Sequence, residues 1–492
     1  MARALACALL LTVGGCQPSP TFEVTLTGSP IVDEDPFAGV TALELRWSRP
    51  GLPLTVEHIT FTGSSDLLVH APPLADGAQL EVAALDARGV VAVGRTAPLA
   101  KGQKAAVAYV ARLDQFAATP SLRPAQSARF AASATTLADG VVLFAGGATR
   151  GSPTLPDASS LSPLLDLYDP ATGAFTVVPS TAFTARIYHA AFATPDGGAL
   201  LAGGLGMFDA LADVVRIDAH GVASAAGTLP GKRFAAATAP LPDGGALLVG
   251  GYSAPDGMGG GTLATDALLL GPDGAASSIA LPLPRAFAAA VTLANGDVLI
   301  TGGTDNLGPR SDALYYSATT RTIAALPATG DARSDMLTAR VGHTATRLPS
   351  GAVLIYGGND GRASVSAAEL WSPSLTGFVD PSSFNLDPRQ RHAAVALGDG
   401  SVLLTGGESQ PQRMATPSPV RALLHFAPTA SGSGGVLASD FPLTPARAEA
   451  NLVLLPDGSV LYTGGAVSDP RMLAGGAQIF VPCFGSCRAV TP

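Results

Sequence analysis

The stretch RAFAAAVTLANGDVLITGG, residues 285–303, decides the fold of this 492-residue chain. Its centre, Asn295-Gly296, lies between two apolar runs. Both residues of such a pair can take positive φ, which makes it a strong β-hairpin signal. The run before the turn is rich in alanine, a poor strand former, and the run after it ends at Gly302-Gly303. We therefore predict a hairpin whose first strand packs where only small side chains fit.

The same pattern occurs seven times along the chain. In every copy the turn glycine follows the first arginine by 11 positions, and a Gly-Gly doublet begins 17 positions after that arginine. Successive copies are 47 to 58 residues apart, so a constant unit is joined by loops of variable length. The seven copies begin at Arg129, Arg186, Arg233, Arg285, Arg340, Arg389 and Arg447.

Two more strands complete each unit. A third strand follows the doublet, for example residues 165–168 and 313–316, and a fourth apolar stretch such as 175–178 precedes the next arginine. Four strands in about fifty residues are typical of a propeller blade. The sequence therefore predicts an all-β chain with a seven-bladed β-propeller over residues 111–492, its alanine-rich strands nearest the axis.

The last unit is one strand short. Only residues 477–481 read as a strand after its doublet. We expect residues 111–119 to supply the fourth strand and so remove an exposed sheet edge. Residues 488–491 are the alternative donor.

Three details of the units resemble Kelch repeats. These are the glycine doublets, the third-strand ending Tyr168-Asp169-Pro170, and the Arg-x-x-His start that joins Arg186 to His189. The same start joins Arg340 to His343 and Arg389 to His392. The resemblance covers residues 113–492 and implies a Kelch-type propeller of the galactose oxidase superfamily.

Two interpretations of the seven arginines follow from their position. In some Kelch propellers, arginines at this place contact acidic ligands, so the resemblance implies a candidate ligand-binding ring at one mouth of the central channel. Alternatively, each arginine binds carbonyls and a carboxylate of the adjacent blade. We favour the structural role, because a ligand site would need only a subset of the blades.

The histidines and loops give weaker signals. His189, His343 and His392 belong to different blades, and we expect them to pack between blades rather than bind a metal. The short polar loops at 304–306 and 359–361 favour solvated turns over weak calcium sites. No metal and no cofactor are expected.

The first residues read as a targeting segment. Residues 1–15 form a short apolar signal peptide that ends in Val13-Gly14-Gly15 before Cys16. This pattern resembles a lipobox, which implies diacylation of Cys16 and a membrane anchor. Because Gln17 follows, we expect the outer membrane of a cell envelope. Residues 16–110 contain several alternating runs and predict a small immunoglobulin-like β-sandwich.

Two cysteines remain beyond the signal and the anchor, Cys483 and Cys487. In an exported chain a disulfide between them is the expected arrangement.

Net charge and missing motifs argue against several classes of function. The net charge of −9 argues against a general nucleic-acid binder. Galactose oxidase itself needs a cysteine cross-linked to a tyrosine, and this propeller has no cysteine before Cys483. Sialidase boxes are also absent. We therefore expect a monomeric, non-enzymatic protein that binds a protein or a glycan. The alternative is a carbohydrate-active enzyme on a galactose-oxidase-like propeller without the usual copper-radical site.

Overall fold

A computed structural model describes the fold of this chain. It describes residues 21–29, 35–49, 51–70, 72, 77–113, 115–119, 129–150, 158–170, 172–258, 260–326, 333–379, 386–428, 434–438, 446–467 and 476–482. These residues form 41 β-strands and one 3₁₀ turn, Ala158–Ser160.

Seven four-stranded antiparallel sheets form the blades, which confirms the predicted number. Blade 1 contains β9 (Ser133–Thr136), β10 (Val142–Ala145), β11 (Leu165–Asp169) and β12 (Ala174–Val178). Blade 2 contains β13 (Ala190–Ala193), β14 (Ala199–Ala202), β15 (Asp213–Ile217) and β16 (Ala223–Thr228). Blade 3 contains β17 (Ala237–Pro240), β18 (Ala246–Val249), β21 (Asp266–Leu270) and β22 (Ala276–Ala280). Blade 4 contains β23 (Ala289–Thr292), β24 (Val298–Thr301), β27 (Ala313–Ser317) and β28 (Thr322–Ala325).

The remaining blades follow the same order. Blade 5 contains β29 (Val341–Arg347), β30 (Val353–Asn359), β31 (Ala368–Ser372) and β32 (Gly377–Val379). Blade 6 contains β33 (Ala393–Ala396), β34 (Val402–Thr405), β37 (Leu424–Pro428) and β38 (Gly434–Ala438). Blade 7 contains β39 (Ala448–Leu454), β40 (Val460–Ala466), β41 (Gln478–Phe480) and β8 (Phe116–Ala118). Three loops after the doublets carry small hairpins, β19–β20 (Tyr252–Pro255, Gly261–Leu263), β25–β26 (Thr304–Asp305, Gly308–Pro309) and β35–β36 (Glu408–Ser409, Ser418–Pro419).

The first strands of neighbouring blades contact one another in a closed circle, so the alanine-rich strands lie innermost, as predicted. The second strands are buried along their whole length in blades 1 to 6. Their side chains form cores between blades: Val298 and Ile300 of blade 4 share one cluster with Leu247 and Val249 of blade 3. The hydrophobic core is therefore distributed around the ring.

The glycine doublet links each blade to the next. The N–H of its second glycine donates to the carbonyl oxygen of the next blade's arginine, at 2.7–2.9 Å in all seven blades. The seventh link, from Gly465 to Arg129, closes the ring. A side chain is excluded here, because a Cβ on Gly250 would lie 2.1 Å from the Arg285 carbonyl oxygen. The repeated arginine and doublet are therefore the two partners of a main-chain hydrogen bond between neighbouring blades.

Closure of the ring follows the prediction. Strand β8 pairs with β41 in the register Ala117 to Ile479, so residues before the first repeat complete the last blade. The ring of Phe116 lies 5.2 Å from that of Phe480 and 5.3 Å from that of Tyr462. The two ends of the propeller sequence therefore meet within one sheet.

The N-terminal region differs from the expected two-sheet sandwich. Its strands are β1 (Thr21–Thr27), β2 (Ala42–Arg49), β3 (Leu52–Thr60), β4 (Asp66–His70), β5 (Gln79–Asp86), β6 (Gly89–Arg95) and β7 (Ala105–Arg112). Hydrogen bonds join them into one sheet in the order β3-β2-β5-β6-β7-β1-β4. The parallel pairing of β1 with β7 makes the sheet continuous, and the sheet folds over on itself, because Phe22 of β1 packs on Trp47 of β2 at 5.4 Å.

This sheet packs against the seam of the propeller, the junction of blade 7 and blade 1 where the ring closes. Ala83, Val93 and Ala111 share a buried cluster with Leu461 of blade 7 and Phe144 of blade 1. The signal peptide, Cys16, Cys483 and Cys487 lie outside the described residues. Among the residues that are described, no helix is long and apolar enough to cross a membrane.

Candidate functional site

The side chains of the seven repeat arginines are buried, and each one forms hydrogen bonds within its own blade. Their side chains are at most 4% exposed. In six blades Nη1 donates to the carbonyl oxygen of the first doublet glycine, at 2.8–3.3 Å. Arg129 instead reaches Ser162 Oγ at 2.9 Å and the Leu164 carbonyl oxygen at 3.1 Å. The expectation that these side chains bind the adjacent blade is therefore wrong. The main-chain carbonyl oxygen of each arginine contacts the adjacent blade instead, through the glycine doublet.

Five of these arginines also pair with a carboxylate on or beside the third strand. The partners, in blades 1 to 5, are Asp166, Asp213, Asp266, Asp312 and Glu369. Arg389 and Arg447 have no hydrogen-bond partner for Nη2 in the described chain. All these contacts are internal, so ligand binding by the whole arginine ring stays a prediction.

The three histidines lie between blades, as predicted. Nε2 of His189, His343 and His392 contacts a hydroxyl of the preceding blade, those of Ser133, Thr301 and Thr344, at 2.8–2.9 Å. Burial lowers the pKa of His189 and of His343 to about 3, so both rings are neutral at physiological pH. Each ring acts as a neutral hydrogen-bonding spacer.

A second ring of residues surrounds the axis two positions after each arginine. All seven adopt the left-handed conformation, with φ between 51° and 68°. In four cases the residue's N–H donates to the carbonyl oxygen of its counterpart in the preceding blade, at 2.9–3.0 Å. The seven residues are Ala131, Tyr188, Ala235, Phe287, Gly342, Arg391 and Glu449. Because left-handed backbone is strained for side-chain-bearing residues, these positions are held by the whole ring.

Side chains of this ring meet across intervening blades. The Tyr188 hydroxyl of blade 2 donates to the Glu449 carboxylate of blade 7, at 3.2–3.3 Å. The rings of Tyr188 and Phe287, which are two blades apart, meet edge to face at 5.3 Å. With Arg391 and Glu408 these side chains form what we call the axial cluster: Tyr188, Phe287, Arg391, Glu408 and Glu449.

Arg391 joins the two carboxylates of the axial cluster. Its Nη1 contacts Glu408 Oε1 at 2.5 Å, and its Nε lies 3.5 Å from Glu449 Oε1. The side chain of Gln390 also donates to Glu408, at 3.2 Å. Glu408 begins the small hairpin after the blade 6 doublet, so a loop residue and two ring residues converge here.

Glu449 has the chemistry of a proton-transfer group. Its side chain is 16% exposed. Burial raises the pKa of this carboxyl to about 7, against the opposing effects of Arg391 and Tyr188. A buried carboxylic acid with a pKa near neutrality can give or take a proton at physiological pH. Strongly shifted groups of this kind are concentrated at functional sites.

The opposite side of the axial cluster is apolar. The ring of Phe287 lies 6.1 Å from that of Tyr252, which in turn packs on Phe234 at 5.3 Å. The aromatic rings thus run from the partly exposed Phe287 into a buried cluster, because Tyr252 and Phe234 are 6% and 3% exposed. Aromatic faces of this kind pack well against the C–H surfaces of sugars and other polyols.

The axial cluster was not predicted from the sequence. The repeat alignment directs attention to the arginine itself, whereas the axial cluster is built from the position two residues later. A signal exists: this position is Ala, Tyr, Ala, Phe, Gly, Arg and Glu in successive blades, so it varies while its neighbours repeat. Variation inside a rigid repeat is typical of a binding surface.

Comparison with known proteins identifies the fold and no family. No family model matches the chain, and no curated protein matches it. A solved structure described as a novel fungal alcohol oxidase with catalytic diversity among the AA5 family, in complex with copper, has a TM-score of 0.56 and 17% sequence identity. The match covers 72% of this chain and 74% of that one.

This match corrects the expectation of a non-enzymatic protein. The expectation rested on the propeller as a binding scaffold, yet a solved structure that shares the architecture is an enzyme. At this identity the likeness establishes the fold alone, and chemistry must be argued from the residues of this chain.

The residues at the axis do not fit a copper site. Copper favours imidazole and thiolate ligands, whereas the axial cluster offers a phenol, two carboxylates and a guanidinium that already pairs with both carboxylates. The propeller histidines of the Arg-x-x-His starts use Nε2 between blades. Within the described ranges, no three His, Cys, Asp or Glu side chains converge as metal ligands.

Proposed function

We propose that this chain is a carbohydrate-active enzyme of galactose-oxidase-like architecture that works by acid–base chemistry at the axial cluster. The supporting observation is the carboxyl of Glu449, with a pKa of about 7, at the axis of the ring. In this proposal the protonated Glu449 donates its proton to the leaving oxygen of a glycosidic bond.

The neighbouring residues have distinct roles in this proposal. Tyr188 holds the Glu449 carboxyl in position through its hydroxyl. Glu408 is the second carboxylate, held by its ion pair with Arg391, and it activates a water or stabilises positive charge on the sugar ring. The ring of Phe287, supported from behind by Tyr252, orients the sugar by packing against its apolar face.

A polysaccharide panel tests this proposal. We expect the purified chain to release reducing ends from at least one glycan, and Glu449→Gln to reduce that rate at least 100-fold, because general acid catalysis contributes about 10²- to 10⁴-fold. Tyr188→Phe should retain part of the activity and shift its pH optimum. The matched control is Glu23→Gln, which changes an exposed glutamate of β1.

Hydrogen peroxide is measured in the same reactions, with and without added copper. Copper-dependent peroxide production that survives Glu449→Gln would contradict acid–base chemistry at Glu449. Release of reducing ends that is equal in wild type and Glu449→Gln would contradict it as well.

Location is the second part of the proposal. We propose that Cys16 carries the lipid anchor and that the propeller faces a glycan at the outer membrane, as a Kelch-type lipoprotein. The support is the lipobox-like sequence before Cys16. Labelled palmitate should enter the wild-type chain and not a Cys16→Ala variant, and the variant should leave the membrane fraction. Equal labelling of both would overturn the anchor.

A further inference from the structure

Blade 6 lacks a carboxylate that blades 3 and 4 place on their arginines. In blade 3, Arg233 contacts the main-chain oxygen of Asp266 at 3.0 Å through Nη1 and the carboxylate of the same residue at 2.7 Å through Nη2. Blade 4 repeats this pair with Arg285 and Asp312. One aspartate thus accepts hydrogen bonds from two guanidinium nitrogens, one at its main-chain oxygen and one at its carboxylate.

In blade 6 the main-chain half of this contact is present and the side-chain half is missing. Nη1 of Arg389 contacts the main-chain oxygen of Ala422 at 3.0 Å, the same contact as in blades 3 and 4. Ala422 also lies opposite Gly406 in the extended register, as Asp266 lies opposite Gly250. Its methyl group occupies the place where blades 3 and 4 carry a carboxylate.

The guanidinium of Arg389 is consequently paired only with the exposed carboxylate of Asp387, at a distance too long for a hydrogen bond. The Arg389 side chain is 0% exposed, and neither Nε nor Nη2 has a hydrogen-bond partner among the described residues. Asp387 Oδ2 lies 3.8 Å from Nη2, beyond hydrogen-bond distance, on a side chain that is 59% exposed. Nη1 also reaches Gly406 at 3.3 Å, and the Tyr356 ring lies 6.0 Å from the guanidinium carbon. A buried charge without a hydrogen-bonded anion is costly, so this position favours an anion.

The missing carboxylate belongs near the surface. The side chains of Asp266 and Asp312, which occupy this position in blades 3 and 4, are 30% and 18% exposed. A molecule from solvent can therefore approach the equivalent point in blade 6. The planar guanidinium fork matches a carboxylate better than it matches a spherical ion.

We propose that Arg389 binds the carboxylate of a small exogenous molecule beside Ala422, in the position that the Asp266 and Asp312 side chains occupy in their own blades. The site is separate from the axial cluster and does not depend on the proposed enzymatic function. Short carboxylic acids and sugar acids carry the same recognised group.

Calorimetric titration of the full chain at fixed ionic strength tests this site, with sodium acetate in one arm and sodium glucuronate in the other. We expect saturable binding of at least one of them by the wild type, with one of the bound carboxylates at Arg389. Ala422→Asp should weaken its binding at least 10-fold, because the new side chain occupies the position itself. Glucuronate binding without acetate binding would assign the site to sugar acids, and the reverse to short acids.

The converse variant is the matched control. Asp266→Ala should recreate the blade 6 arrangement in blade 3 and add one bound carboxylate per chain relative to the wild type, and far-UV circular dichroism checks that each variant folds. Equal binding by wild type and Ala422→Asp would overturn the proposal, as would the absence of saturable binding in both arms. Binding that appears only after Asp387→Asn would also overturn it, because Asp387 would then be the partner of Arg389.

Discussion

At the scale of single residues, a few variable positions form the candidate site while their repeated neighbours stabilise the fold. Arg391 and Glu449 stand two residues after buried arginines, in left-handed backbone that the ring enforces. The repeated arginine fixes the main chain, and the residue two positions later is free to vary. This separation lets the ring bring Tyr188 and Glu449 together although they are 261 positions apart in sequence.

The raised pKa of Glu449 predicts a pH-dependent cost in stability. The carboxyl ionises near 4.5 when the chain is unfolded and at about 7 when it is folded, so the folded state holds the proton more tightly. Stability from this group is therefore complete below pH 4.5 and is lost as the pH rises to 7. We expect Glu449→Gln to gain about 2–3 kcal/mol relative to wild type between these two pH values.

Urea unfolding of both proteins at pH 4.5, 6, 7 and 8 measures this difference. The exposed Glu23→Gln control should follow the wild-type curve at every pH. A difference between Glu449→Gln and wild type that is the same at pH 4.5 and at pH 8 would show that Glu449 does not titrate in this range.

At the scale of elements, the sequence predicts strands where local signals are strong. The turn pairs such as Asn295-Gly296, with positive φ at Gly296, and the doublets specify two strands of every blade without reference to distant residues. The fourth strand of blade 7 was also predictable, because the last repeat supplies one strand fewer than the others and an unassigned strand precedes the first repeat.

Two element-scale features depend on contacts that local sequence does not record. The single N-terminal sheet results from the parallel pairing of β1 with β7, which are about 80 residues apart; alternating runs alone are compatible with a sandwich as well. The side-chain contacts of the arginines depend on the doublet and third strand of the same blade, whereas spacing alone left open which blade they reach. The axial cluster was missed for the same reason, since it is assembled from blades 2, 4, 6 and 7.

At the scale of the whole molecule, the ring closes at one place, the seam between blade 7 and blade 1. Each blade contacts its neighbours through the doublet links and the cores between blades, as in other repeat proteins. Unlike an open array, this chain is closed by β8, and the N-terminal sheet packs over that closure. Weakening the seam should therefore lower the stability of distant blades as well as of blade 7.

Phe116→Ala tests this whole-molecule coupling. The change removes the ring that packs on Phe480 and Tyr462, and we expect the free energy of unfolding to fall by about 2–4 kcal/mol. The two tryptophans, Trp47 in the N-terminal sheet and Trp371 in blade 5, serve as separate probes when the other is replaced by Phe. Both should report the same shift in urea midpoint, because the closed ring unfolds as one unit.

The matched control is Phe208→Ala at an 87% exposed loop residue, which should change stability by less than about 0.5 kcal/mol. If Trp371 keeps its midpoint while Trp47 shifts, the blades are independent of the seam and the closure stabilises only its own neighbourhood.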